Sequence, residues 1–144
     1  MKILYLHMLV LLIFLLNSCT VKPKPINYGV DHCHYCNMTV VDKIHAAEIV
    51  TKKGKVYTFD SAECMIHFLK EFDEQEVKFY LSNAFTEPGK LLDATSATFL
   101  ISENIPSPMG AFLTAFITKN EAVKMQSEKG GTLYTWSEIR NYLN

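Results

Sequence analysis

The chain has almost no net charge: 14 lysine and arginine residues against 15 aspartate and glutamate leave −1 over 144 residues. Its basic residues are scattered rather than massed, and Lys52, Lys53 and Lys55 read as the solvated tip of a hairpin, so no nucleic-acid surface is expected. A glycine loop of the phosphate-cradling kind is missing, and no serine stands in a nucleophile context, which sets aside the common nucleotide-binding and hydrolytic classes. Cysteine is scarce, with four residues in all. The length suits one compact domain or two very small ones.

What the chain does have begins with an apolar run from Ile3 to Leu16, preceded by Lys2 and closed by Leu16-Asn17-Ser18-Cys19. This run is shorter than the ~20 residues of a spanning helix, so residues 1–18 read as a cleaved export signal. The closing tetrad resembles a lipobox, which implies cleavage before Cys19, lipidation at Cys19 and a lipid-anchored location in the bacterial cell envelope, facing the periplasm. Residues 19–30, with Pro23 and Pro25 between lysines, read as an extended, solvated tether.

Cys33, Cys36 and Cys64 then remain, an odd number that cannot all pair within one molecule outside the cytoplasm, so a free thiol or a metal ligand is expected. Two of them lie in Asp31-His-Cys-His-Tyr-Cys-Asn-Met38, where two thiols, two imidazoles and a thioether occupy eight residues. Met109 stands downstream in Ser107-Pro-Met-Gly110, a loop made rigid by two prolines and a glycine. Thiolates together with thioethers favour Cu(I) over harder ions. Two other readings stay open. Cys33-x-x-Cys36 also serves thiol–disulfide oxidoreductases, although no β-α-β pattern leads into it, and structural zinc could use Cys33, Cys36, Cys64 and one of His34, His45 or His67.

Periodicity predicts strands over His45–Lys52 and Lys55–Phe59, then a helix capped by Asp60, with Glu63 returning the bond, running to about Asp73. Cys64 falls in its first turn, where the helix dipole favours a thiolate. Strands follow over Val77–Ser82, Ala97–Ser102 and Ala111–Thr118. Asn120 is expected to cap a helix ending at Gly130-Gly131, before a strand over Thr132–Thr135 and a helix over Ser137–Leu143, with Trp136 and Tyr142 in the core. Gly54–Glu63 is echoed by Gly131–Glu138, and extending the echo backwards gives Met38 and Met109 equivalent places. The fold class is therefore α+β: two small β-β-α-β units packed together over residues 31–88 and 89–144, the second with an extra helix.

The lipobox, His34-Tyr-Cys-Asn-Met38 and Ser107-Pro-Met-Gly110 followed by a Gly-Gly turn together resemble the NosL family, accessory lipoproteins of nitrous oxide reductase assembly. The resemblance covers nearly the whole mature chain, and its most specific parts are Cys36-x-Met38 and Met109-Gly110. It implies two β-β-α-β units, no enzymatic activity, and Cu(I) bound and delivered for the copper centres of the reductase alongside an ABC-type membrane complex. Cys36, Met38 and Met109 match the motif positions. Asn37 replaces the usual glycine, a residue that also tolerates left-handed backbone angles. Cys33 and Cys64 depart from the single-cysteine pattern, so either could add sulfur to the site.

Overall fold

The computed structural model describes residues 20–143. The expected export signal and Cys19 lie outside the described residues. Seven strands and three helices follow in order: β1 Ala47–Thr51, β2 Val56–Phe59, α1 Ala62–Leu69, a 3-10 turn at Glu74–Glu76, β3 Val77–Asn83, β4 Leu91–Asp93, β5 Thr98–Ile101, β6 Leu113–Phe116, α2 Lys119–Lys129, β7 Thr132–Tyr134 and α3 Trp136–Tyr142. They form two antiparallel sheets of order β2-β1-β3-β4 and β6-β5-β7. In each, the first strand of a β-β-α-β unit lies between the second and the third. The expected architecture is therefore present, and α3 is the extra helix. Among the described residues no helix is long and apolar enough to cross a membrane.

The internal echo does not mark topologically equivalent elements. It sets β2 and α1 beside β7 and α3, and Met38 precedes β1 whereas Met109 lies between β5 and β6. What recurs is the local pattern of a strand entering a helix: alternating apolar residues, a hydroxyl cap and a glutamate in the first turn. The short strand Leu91–Asp93, not expected from its three residues, pairs with β3 and so extends the first sheet.

Helix ends differ from expectation for identifiable reasons. Ser61, not Asp60, caps α1, its Oγ accepting from Cys64 N–H at 3.3 Å. Asp60 is turned inward, and Glu63 is drawn into the core instead of returning to the cap. The helix ends at Leu69 rather than near Asp73, because Lys70, Glu71 and Phe72 bond back three residues, to His67, Phe68 and Leu69, the tighter pattern in which helices fade. Thr118 rather than Asn120 caps α2 in a reciprocal box with Glu121, and Thr135 with Glu138 does the same for α3. Such caps contribute about 1 kcal/mol each.

One core spans both sheets, joining Ile49, Phe59 and Met65 of the first unit to Phe99, Leu113 and Ile139 of the second. The strand β5 is buried on both faces: Phe99 enters this shared core while Leu100 packs with Ile105, Phe116 and Ala122 beneath α2. Tyr142, expected inside, is 60% exposed, and Ile139 takes the inward position of α3. Trp136 stays half-buried against Phe99 and Tyr80. His45 ties the sheets together, its ring nitrogens meeting Asp42 at 2.7 Å and Thr114 of β6 at 3.2 Å.

The segment expected as a solvated tether packs on the first sheet from Lys24 to Tyr28. Ile26 joins the core, Tyr28 Oη accepts from Asn83, and Lys24 N–H donates to Glu48 at 3.2 Å. Glu48 lies in the central strand, fully buried, and its second oxygen has no partner among the described residues. Loss of hydration pushes its carboxyl up to about 7 from an ordinary 4.5. The folded state therefore holds the proton where the unfolded chain has released it, and stability falls as pH rises between those two values. In denaturation measured across pH, Glu48→Gln should abolish this slope. It should match the parent below the window and exceed it above by on the order of 3 kcal/mol.

Candidate metal centre

The loop before β1 is a small ribbon whose hydrogen bonds dictate where its thiols point. Gly29 N–H donates to Val40 O, Val40 N–H to Asp31 O, and Cys33 N–H to Met38 O, each at 2.8 or 2.9 Å. The turn closes through Asn37 N–H to Cys33 O at 3.0 Å, with Asn37 at φ 63°. This is the left-handed geometry for which an asparagine is suited. His34 docks the ribbon on β2: its N–H donates to Thr58 O at 2.9 Å, and its Nδ1 accepts from Thr58 N–H at 3.2 Å. Cys33 is thereby buried and Cys36, at the turn, half-buried.

Across from the ribbon, the junction of β2 and α1 supplies Asp60 and Cys64, both buried. The ligand atoms of Cys33, Cys36, Asp60 and Cys64 all lie within 4.8 Å of one another. Cys36 Sγ donates to Asp60 Oδ2 at 3.5 Å, and Asp60 Oδ1 has no partner among the described residues. The structure thus gathers all three cysteines of the described residues. It adds Asp60, which was expected only as a helix cap.

The electrostatics reverse one expectation. Interaction with the Cys64 thiol holds Cys33 down at about 6, whereas that same interaction, burial and the Asp60 carboxylate push Cys64 up. Cys64 N–H is already used by Ser61, and Cys33, not Cys64, is the preferred thiolate. Burial raises Cys36 as well. One thiolate shared among three sulfurs is what a low-dielectric pocket with a carboxylate beside it permits.

The methionines stand differently. Met38 is 48% exposed and Met109 38% exposed. Met109 occupies a turn closed by Gly110 N–H to Ser107 O at 3.0 Å, with Gly110 and Phe112 both at positive φ. Ser107 Oγ accepts from Phe112 N–H at 2.9 Å and donates to the buried Glu63, which also accepts from Leu113 N–H at 3.3 Å. Glu63 immediately precedes Cys64, so the loop of Met109 is fastened to the helix turn that carries the third thiol. The histidines proposed for zinc are not in the cluster: His45 is bound to Asp42 and Thr114, His34 to Thr58, and His67 stacks on Tyr35 at 5.6 Å.

Residues 26–143 match the family model described as NosL. The chain belongs to the NosL family. It is 28% identical over 145 residues to the copper-binding lipoprotein NosL of Stutzerimonas stutzeri, covering 90% of this chain and 76% of that protein. Its fold is similar to that in the crystal structure of the copper chaperone NosL from Shewanella denitrificans, with a TM-score of 0.71, 24% identity, and coverage of 83% of this chain and 96% of that one. Within this NosL member, the matched span holds the thiol ribbon, Asp60, Cys64 and the Met109 loop.

Two measurements follow from this geometry. In the reduced native protein an uncharged alkylating reagent should modify Cys36 before the buried Cys33 and Cys64, resolved by peptide mass spectrometry. Equal rates at all three would contradict the burial pattern. Ser107→Ala leaves Glu63 with one donor fewer in a buried site and should lower stability by about 1–3 kcal/mol in urea denaturation. An unchanged midpoint would mean the loop is held by other contacts.

Proposed function

We propose that this chain is an envelope lipoprotein, anchored through Cys19, that binds one Cu(I) and hands it to the machinery that matures the copper centres of nitrous oxide reductase. It acts as a carrier rather than an enzyme. In this reading Cys36 gives up its proton on binding the metal and supplies a thiolate, Met109 and Met38 the thioethers, and Cys33 or Cys64 further sulfur. The observation that carries the reading is the gathering of three thiols at one point, with the methionine loop fastened through Ser107 and Glu63 to the helix turn that carries Cys64. The names carried by its relatives, a copper-binding lipoprotein and a copper chaperone, agree with that donor chemistry.

Delivery requires that a tight site also release. A strong thiolate combined with weak, partly exposed thioethers gives a partner ligands that it can displace one at a time, and soft donors of both kinds select Cu(I) over harder ions. Recipient docking takes place from the periplasmic side, beside an ABC-type membrane complex. Cu(I) is cargo here and stays bound only until the exchange.

An anaerobic Cu(I) titration of the reduced full-length chain against a calibrated chelator tests the binding step. One copper per chain is expected, with affinity reduced roughly tenfold or more by Cys36→Ala and by Met109→Ala, since loss of a ligand should cost at least what loss of a supporting partner does. Affinity indifferent to either substitution would sink the assignment. Copper content of nitrous oxide reductase purified from cells lacking this chain tests delivery. A full complement of copper there would exclude it.

A further inference from the structure

We propose that Cys33, Cys36, Cys64 and Asp60 form a four-donor site for a thiophilic, closed-shell divalent cation of the zinc and cadmium class, using a different donor set from the methionine-containing one inferred for Cu(I). The proposal does not rest on the copper reading, but both sites use Cys36, so the two ions exclude one another. Its basis is geometric. Three sulfurs and one carboxylate oxygen lie within 4.8 Å of one another, three of the four residues being buried. A tetrahedral zinc ion sets its thiolate and carboxylate ligands about 3.6 Å apart, from metal–ligand lengths of about 2.3 and 2.1 Å. Cys36 Sγ and Asp60 Oδ2 already stand at 3.5 Å. Closing the wider gaps requires a contraction of about an ångström or less.

Asp60 decides between a site and a mere core. Buried free cysteines behave as small apolar residues and need no carboxylate among them. Here a carboxylate that is 2% exposed faces them, with Oδ1 lacking any partner among the described residues. A cation in the middle of the cluster satisfies that carboxylate and the thiols together. The oxygen donor also sets the ion class: zinc accepts carboxylate beside thiolate in closed four-coordinate sites, whereas methionine adds nothing for it. Occupancy displaces up to three thiol protons to solvent and involves no change of oxidation state. Because Cys33 and Cys36 come from the ribbon while Asp60 and Cys64 come from the β2–α1 junction, the ion would clasp these two parts and stabilise the folded chain.

Cadmium is the probe. The reduced full-length chain carrying Cys19→Ser, held in detergent without oxygen, is titrated with Cd(II) and followed by thiolate-to-metal charge-transfer absorption. One Cd(II) per chain is expected, with binding weakened roughly tenfold or more by Asp60→Asn and by Cys64→Ser and left unchanged by Met109→Ala. Absence of a saturable band, or affinity indifferent to Cys64→Ser, would overturn the proposal. Should the variants fold poorly, X-ray absorption of the Cd(II)-loaded protein with its cluster intact decides alone: three sulfurs and an oxygen support the site, and fewer than three sulfurs refute it. The copper reading fails separately, if Met109→Ala leaves Cu(I) affinity intact.

Discussion

Glu63 brings a carboxylate into the interior with no exposure to solvent, and the donors it finds there belong to the other unit: the hydroxyl of Ser107 and the N–H of Leu113. A buried carboxyl group left without such donors is costly, and breaking one of its contacts costs more than making it gains. This asymmetry fixes the position of the Ser107–Leu113 loop relative to α1. It also fixes the register between the sheets near the thiols, since Glu63 and Cys64 are consecutive in the first helical turn. The shared core of Phe59, Met65, Phe99 and Leu113 supplies the cohesion, and the His45 bridge from Asp42 to Thr114 adds a second polar tie. Apolar packing would tolerate small shifts between the units. The carboxylate does not.

Much of the fold was legible because strands and helices announce themselves by period. Val56–Phe59 and Thr98–Ile101 sit inside their expected ranges, and both β-β-α-β units are present. The errors cluster where two neighbouring residues could do the same job. Asp60 and Ser61 can each cap a helix, and only tertiary structure shows that the aspartate is turned toward the thiols while the serine takes the cap. The same competition shifted the second cap from Asn120 to Thr118. Asp60 stayed hidden as a site residue for that reason. The cysteines were legible as reactive groups, but their proton affinities were not, because the pairing of Cys33 with Cys64 crosses from the ribbon to the helix.

Sulfur stands on both sides of Cys36 in this chain, and it is not scattered. Cys33 precedes Cys36 by one turn of the ribbon and Cys64 faces it from α1, so both enlarge one donor cluster rather than creating another. Asn37 adopts the positive φ that the turn of the ribbon needs.

The docking of the ribbon on Thr58 has another consequence. In the first sheet β2 is a terminal strand, with β1 on one side only, and His34 occupies the free N–H and C=O of Thr58 on the other. Terminal strands with open backbone groups are templates for pairing with other chains. The segment that carries Cys33 and Cys36 therefore also blocks a route to aggregation. Opening it to reach the thiols would bare a strand edge at the same moment, which ties access to the site to the solubility of the protein.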